Sequence, residues 1–320
     1  MWRKGFPLPC YNRAELTSLT ETHEGRRVRF GIHVPRQRSL AATAAYAHDI
    51  GCDSFQIFSG NPVGWSIGKL DPADRDRFVA AVRTAGMGPI LVHAPYLINM
   101  ATGDRRLRRL SRRALTDAMT RAVELSAGPV VVHAGNHKGA GSAAGIDHAV
   151  RLIDAVLKEA PESATLAIEG GAGKGTEIGV TFDELAALVS PFPRARVGVL
   201  LDTAHLWALG HDLRDPEEVF GMLEALDAGP GIERLFGLHA NDSDAELGSR
   251  RDRHALWTEG RMRRRGLRNL VGAPELAELP VVFEIPGDTP EFDRRRLASM
   301  RRMEDRLRPA RGRRAKPAAR

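Results

Sequence analysis

The sequence predicts an α/β fold, a (β/α)8 TIM barrel, on three observations. Eight short apolar runs rich in β-branched residues recur along the chain, and amphipathic helical stretches lie between them. The repeat is roughly 25–45 residues per unit, the spacing of strand–helix units in a closed barrel. Alternating strands and helices imply parallel strands, and eight is the number that closes the ring. An open doubly wound sheet would need a Gly-rich fingerprint after its first strand, and GIHVPRQRS has none. With 320 residues, 42% of them apolar, the chain has the material for one large core.

The elements follow in order. VRFGIHV (28–34) is the first strand, and SLAATAAYAHDIG after it has apolar residues at helical spacing and closes on a glycine, a common C-terminal signal. SFQIF (54–58) is second, followed by the loop SGNPVGWSIGKL and the helix DRDRFVAAVRTAG. ILVHA (90–94) precedes ALTDAMTRAVELSAG, and VVVHA (130–134) precedes IDHAVRLIDAVLKEA. LAIEG (166–170) precedes TFDELAALVS, and VGVLLD (197–202), RLFGLHAND (234–242) and VVFEI (281–285) complete the eight. We therefore expect one domain over 27–307, an N-terminal extension over 1–26, and a basic, Pro/Ala/Arg-rich tail over 308–320 read as a disordered arm.

Net charge is +7, and of 47 basic residues only six are lysine. Arginine clusters at 103–113, at 250–268 and in the tail. Two readings stay open: a coding bias towards arginine, or an anionic partner such as nucleic acid. No apolar run approaches the roughly 20 residues of a membrane span. The start of the chain lacks an apolar signal segment, and Cys10 and Cys52 make no disulfide framework. A reducing cytoplasm is the expectation.

The polar residues at the strand ends carry the chemistry. In a barrel the C-terminal strand ends meet at one face, where sites are built. Strands three to eight end at His93, His133, Glu169, Asp202, His239 and Glu284. One buried strand ending in histidine is ordinarily a core feature; six in succession point to a metal site at that face. His205 lies one helical turn beyond Asp202, and Asp252 and His254 alternate in RRDRHALW, which puts both on one face of extended chain. Imidazole nitrogen mixed with carboxylate oxygen suits zinc, with manganese or iron also open. Nine donors exceed the needs of one ion, whereas three ions sharing a bridging carboxylate would use them all.

HAPYLINM, VVHAG, AIEGGAGKG, LLDTAHLWALGHDL, GLHANDSDAELGSRRDRH and VVFEI resemble the successive motifs of endonuclease IV, from about Arg29 to Ile285. That family is a zinc-dependent apurinic/apyrimidinic endonuclease of base-excision repair on a xylose-isomerase-like TIM barrel. The resemblance implies three zinc ions: one on His93, His133 and Glu169, a second on Glu169, Asp202, His239 and Glu284, and a third on His205, Asp252 and His254. It implies hydrolysis of the phosphodiester 5′ to an abasic site in duplex DNA, leaving a 3′-hydroxyl, with trimming of blocked 3′ ends. Clustered cations lower the pKa of water from 15.7 to about 7 and stabilise a departing alkoxide. The expected nucleophile is a hydroxide near Glu169 and Glu284, the catalytic pair, with the third ion sharing the phosphate and leaving group.

The resemblance also implies DNA contacts. Tyr96 and Leu97 match the family's penetrating pair, and Asn61 and Trp65 match its other loop, whereas Pro62, Val63 and Gly64 stand where members often carry Arg and Gln. Arg250, Arg251 and Arg253 flank the site and read as phosphate contacts. His33 is read as support for the ligands, GGAGKG as a flexible loop without Walker spacing, and His137, His148 and His211 as surface residues. The partner is duplex DNA, with no membrane involved and a monomer expected. A sugar isomerase or epimerase of the xylose-isomerase-like barrels would use only Glu169, Asp202, His239 and Glu284 around one divalent metal, leaving five donors idle. A non-catalytic DNA-binding protein would need none.

Overall fold

In the computed structural model, which describes residues 27–307, every predicted run contains a strand and helices alternate with strands. The expectations for 1–26 and 308–320 lie outside the described residues. The barrel strands are β1 (Arg29–Ile32), β2 (Gln56–Phe58), β3 (Leu91–His93), β4 (Val130–His133), β5 (Leu166–Glu169), β6 (Val197–Asp202), β7 (Leu235–His239) and β10 (Pro280–Phe283). Between the last two, β8 (Asp242–Ser243) and β9 (His254–Ala255) form a short antiparallel pair. All barrel pairings are parallel, in chain order, with β10 returning to β1. A parallel bridge between His33 and Gln56 links the first strand to the second and closes the ring.

The helices are α1 (Leu40–Ile50), α2 (Pro72–Thr84), α3 (Arg105–Glu124), α4 (Ser142–Glu159), α5 (Phe182–Val189), α6 (Thr203–Leu209), α7 (Pro216–Ala228), α8 (Arg263–Val271) and α9 (Pro290–Leu307). Their starts are set locally. Ser39 Oγ accepts from Ala42 N–H at 3.1 Å, and Asp104 accepts from Arg106 and Leu107 N–H at 2.7 and 2.9 Å. Such a cap contributes about 1 kcal/mol by satisfying amide groups the helix leaves orphaned. Asp71 and Asp215 cap helices that open on proline, whose missing N–H costs nothing there.

Two apolar layers result. The larger lies between strands and helices; the smaller, Leu91, Val131, Ala167, Leu200 and Val282, fills the barrel interior. Each interior residue stands two positions before a predicted site residue: His93, His133, Glu169, Asp202 and Glu284. Side chains on a strand alternate faces, so the register that packs the interior also turns these five polar groups inward, one layer higher. Gly198 belongs to this register too. A Cβ there would come within 2.3 Å of the Arg234 carbonyl oxygen, so β7 can pass close only because that position is glycine.

Candidate metal centre

The strand ends gather one cluster. His93 and His133 both turn Nε2 towards Glu169 Oε2, at 3.6 and 3.5 Å. Glu169 Oε1 lies 2.9 Å from His239 Nδ1, which also faces Glu284 Oε1 at 3.5 Å and Asp202 Oδ2 at 3.9 Å. On the far side, His254 Nε2 lies 3.7 Å from Asp202 Oδ2 and 2.9 Å from Asp252 Oδ1, and His205 Nε2 lies 3.5 Å from Asp252 Oδ2. Three sets of donor atoms each fall within 4.8 Å of one another: His93, His133, Glu169; Glu169, Asp202, His239, Glu284; and Asp202, His205, His254.

The first two sets are those expected. The third differs, because Asp202 takes the place in it that the family pattern gives to Asp252. Asp202 ends β6 and caps α6 at once: its Oδ1 accepts from Ala204 and His205 N–H at 2.6 and 3.0 Å. That leaves Oδ2 turned to the cluster, where Asn241 Nδ2 donates to it at 2.6 Å. Asp252 still touches both imidazoles, but its Oδ2 is also held by Lys174 Nζ at 2.9 Å. One residue thus ends the buried strand, starts the helix that delivers His205, and faces the site.

Burial of several carboxylates in one space is costly unless positive partners answer them. Burial alone would raise Glu169, yet His133 and His239 hold it well below its usual range. Burial likewise would depress His239 and His254, but the carboxylates around them, Glu284 foremost for His239 and Asp202 for His254, raise each to about 9. Asp252 is held well below the carboxylate range against its burial by His205 and His254. The set thus demands positive charge. Among the described residues the buried Glu169 Oε2 has no hydrogen-bond partner. His93 Nδ1–H donates to Ala94 O at 2.7 Å and His205 Nδ1–H to Gly170 O at 2.8 Å, so each turns its Nε2 to the carboxylates. Mixed nitrogen and oxygen donors, fixed tautomers and an unanswered buried carboxylate oxygen together fit divalent metal.

The remaining predicted residues are more scattered. Tyr96 stands 57% exposed at the mouth, beside His93 and Phe58, with Leu97 half-buried next to it. Tyr96 N–H donates to Pro62 O at 2.9 Å, which ties the two predicted DNA loops together. Asn61 is exposed and accepts from Val63 N–H at 3.1 Å, whereas Trp65 packs half-buried on the core. Arg250, Arg251 and Arg253 are exposed; Arg250 lines a cavity of about 350 Å³ that reaches Asp202 and His205. His137, His148 and His211, expected at the surface, are half-buried: His137 Nδ1 accepts from Gly139 and Gly141 N–H at 3.2 and 2.9 Å, tying a loop. GGAGKG leads into a turn, where Glu177 N–H donates to Lys174 O at 3.1 Å and Lys174 N–H donates to Glu177 Oε2 at 2.8 Å.

Sequence reasoning missed Gln56, Asn241 and Lys174. Asn241 bridges Asp202 and Glu284, donating to Glu284 Oε2 at 3.1 Å and accepting from Glu284 N–H at 3.0 Å. Its signal was its place two residues after His239, in HAND. Gln56 carried a plainer one, an amide in the middle of an apolar strand.

A parallel eight-stranded barrel with acidic and imidazole donors at its C-terminal mouth defines a class. Residues 44–306 match the family described as xylose isomerase-like TIM barrel, and the chain belongs to it. It is 37% identical over 275 residues to the "Probable endonuclease 4" of Methanoculleus marisnigri, covering 85% of this chain and 98% of that one. The protein of the same name from Chloroflexus aurantiacus is 36% identical over 276 residues, covering 85% and 97%. The crystal structure of endonuclease IV from Thermus thermophilus superposes with a TM-score of 0.78 at 32% identity, over 87% of this chain and 99% of that one. A D-tagatose 3-epimerase-like protein shares the fold alone, with a TM-score of 0.66 at 18% identity over 87% and 98%. Within the class, the chain is a member of the endonuclease IV family.

Proposed function

We propose that this protein is a zinc-dependent DNA-repair endonuclease that hydrolyses the phosphodiester 5′ to abasic sites in duplex DNA, leaving a 3′-hydroxyl, and trims blocked 3′ ends. One observation carries the reading: on a chain of this family, three donor sets share Glu169 and Asp202, as a three-ion centre requires and a one-ion isomerase does not.

His93, His133 and Glu169 would hold one ion; Glu169, Asp202, His239 and Glu284 a second; His205, Asp252 and His254, with Asp202 beside them, the third. Zinc in these places supplies Lewis acidity and water activated near neutral pH, and manganese would serve the same donors. The protein's own groups do the rest. Glu169 and Glu284 both face His239 Nδ1 and would accept the proton of the attacking water. Lys174 and Arg250 put positive charge at the rim next to Asp252 and Asp202, where a phosphate and its leaving group would lie. Tyr96 and Leu97 would enter the duplex, with Asn61 and Trp65 shaping the neighbouring loop and Arg250, Arg251 and Arg253 on the backbone. Val63, 68% exposed where relatives often carry longer polar groups, gives this reading head a short apolar tip. Among the described residues no helix is long and apolar enough to cross a membrane. A cytoplasmic monomer acting on DNA completes the proposal.

The test is nicking of a duplex carrying one tetrahydrofuran abasic analogue, with and without chelator, paired with elemental analysis. About three zinc ions per chain and chelator-sensitive cleavage are expected. Glu284→Gln should abolish cleavage and retain the circular dichroism of the parent. One manganese per chain and no cleavage would favour the isomerase reading, and DNA binding indifferent to chelator, without nicking, the non-catalytic one.

A further inference from the structure

We propose that Gln56 is a positioning residue of this centre, which turns His239 so that Nδ1 faces the carboxylates and which steadies Glu284. The inference rests on the metal-centre reading above and adds a residue from outside the nine donors. Gln56 lies in β2, with no exposed surface. A buried amide is costly unless its polar atoms are answered, and here both are. Its Nε2 lies 2.9 Å from His33 Nδ1 and 3.3 Å from Glu284 Oε1, and its Oε1 lies 2.9 Å from His239 Nε2.

Glu284 decides which way the amide faces. An ionised carboxylate oxygen only accepts, so the amide nitrogen must be the atom turned to Glu284. The amide oxygen is then turned to His239, and because that oxygen only accepts, His239 Nε2 must carry a hydrogen. Nδ1 is left as the nitrogen presented to Glu169, Glu284 and Asp202, at 2.9, 3.5 and 3.9 Å. Both amide hydrogens are used, the second on His33 Nδ1, so His33 anchors Gln56 from behind and carries its own hydrogen on Nε2. His93 and His205 have their tautomers set by backbone carbonyls. His239 has Gln56 in that role, and through the same amide its orientation is coupled to that of Glu284.

A residue that merely filled space would be replaceable by Met, which keeps the length of Gln and loses its hydrogen bonds. The experiment uses the zinc-loaded full chain, labelled with ¹⁵N-histidine, as wild type, Gln56→Met and Gln56→Glu. Long-range ¹H–¹⁵N spectra report the tautomer of His239, and competition with a chromophoric chelator reports zinc affinity. Wild type should show His239 with Nε2–H and Nδ1 bound to zinc. Gln56→Met should keep its fold by circular dichroism, lose the single tautomer, and release zinc roughly 10–100-fold more readily, as loss of an outer hydrogen-bond partner does. Gln56→Glu, whose carboxyl still accepts from His239, should keep the tautomer while weakening zinc binding through Glu284. Unchanged affinity and tautomer in Gln56→Met would overturn the inference and leave the metal centre standing. If Gln56→Met fails to fold, a lost Nε2–H tautomer in Gln56→Glu would overturn it. A wild type that takes up no zinc would instead remove the reading beneath.

Discussion

Asp202 serves two ends of the chemistry with its two oxygens, and a pair of substitutions separates them. Ala removes both functions. Ser restores a hydroxyl that can cap α6 but cannot reach His239 or His254. Oδ1 answers two backbone N–H groups in the parent, so Ser should exceed Ala in stability by about 1 kcal/mol, the ordinary worth of such a cap. For a domain of this size that is about 2 °C in Tm, read by melting in excess chelator so that metal does not contribute. Metal binding should behave oppositely, with Ser and Ala indistinguishable. Asp202 belongs to two of the three donor sets, so zinc held through dialysis should fall from about three to about one per chain in both. Loss of several kcal/mol of charge stabilisation should slow nicking of abasic duplex by about a thousandfold or more. Full zinc content in Asp202→Ser would refute Oδ2 as a donor, and equal Tm values for Ser and Ala would refute the cap.

Other outcomes follow from the same structure. Burial pushes the Cys52 thiol up to about 12, so in a Cys10→Ser background iodoacetamide should label the protein only once it is unfolded; labelling of the native chain at pH 8 would contradict its burial. The same shift gives a sign for stability. The unfolded thiol ionises first, near pH 8.5–9, so the native state binds more protons between there and about 12 and should lose stability as pH rises through that window. Denaturant titrations of Cys52→Ala and parent across pH 8–11 check it, the parent showing the steeper loss. Deleting 308–320 removes basic residues and should weaken DNA binding and flatten its dependence on salt without moving the cleavage position; an unchanged slope would leave the tail's arginines as compositional bias.

Much of the site was legible before any coordinates, and the reason is periodicity. A strand alternates faces, so in ILVHA and LAIEG the residue two before His93 or Glu169 had to share its direction, and Leu91 and Ala167 do fill the barrel interior beneath them. Barrel closure at eight units then brings consecutive strand ends to one face. The fold and the convergence of the six strand-end side chains thus follow from local pattern plus one rule of topology. Less legible was anything set by a contact between distant loops. Nothing in GGAGKG says that Lys174 meets Asp252, 78 residues on. Nothing in DTAH says that Asp202 Oδ2 joins His205 and His254, because that depends on where the cap spends the other oxygen.

By itself, then, the chain's order of residues determined the eight-unit architecture and the inward direction of its polar strand ends, since both arise from repeats within reach of one strand or one helix. Only the tertiary structure decided which oxygen faces which imidazole, how Trp65 divides from Tyr96 at the mouth, and that Gln56 joins His33, His239 and Glu284. Those partners lie 23, 183 and 228 residues from it in the chain. Hydrogen bonds are directional and short, so such choices exist only once packing has brought the atoms within about 3 Å.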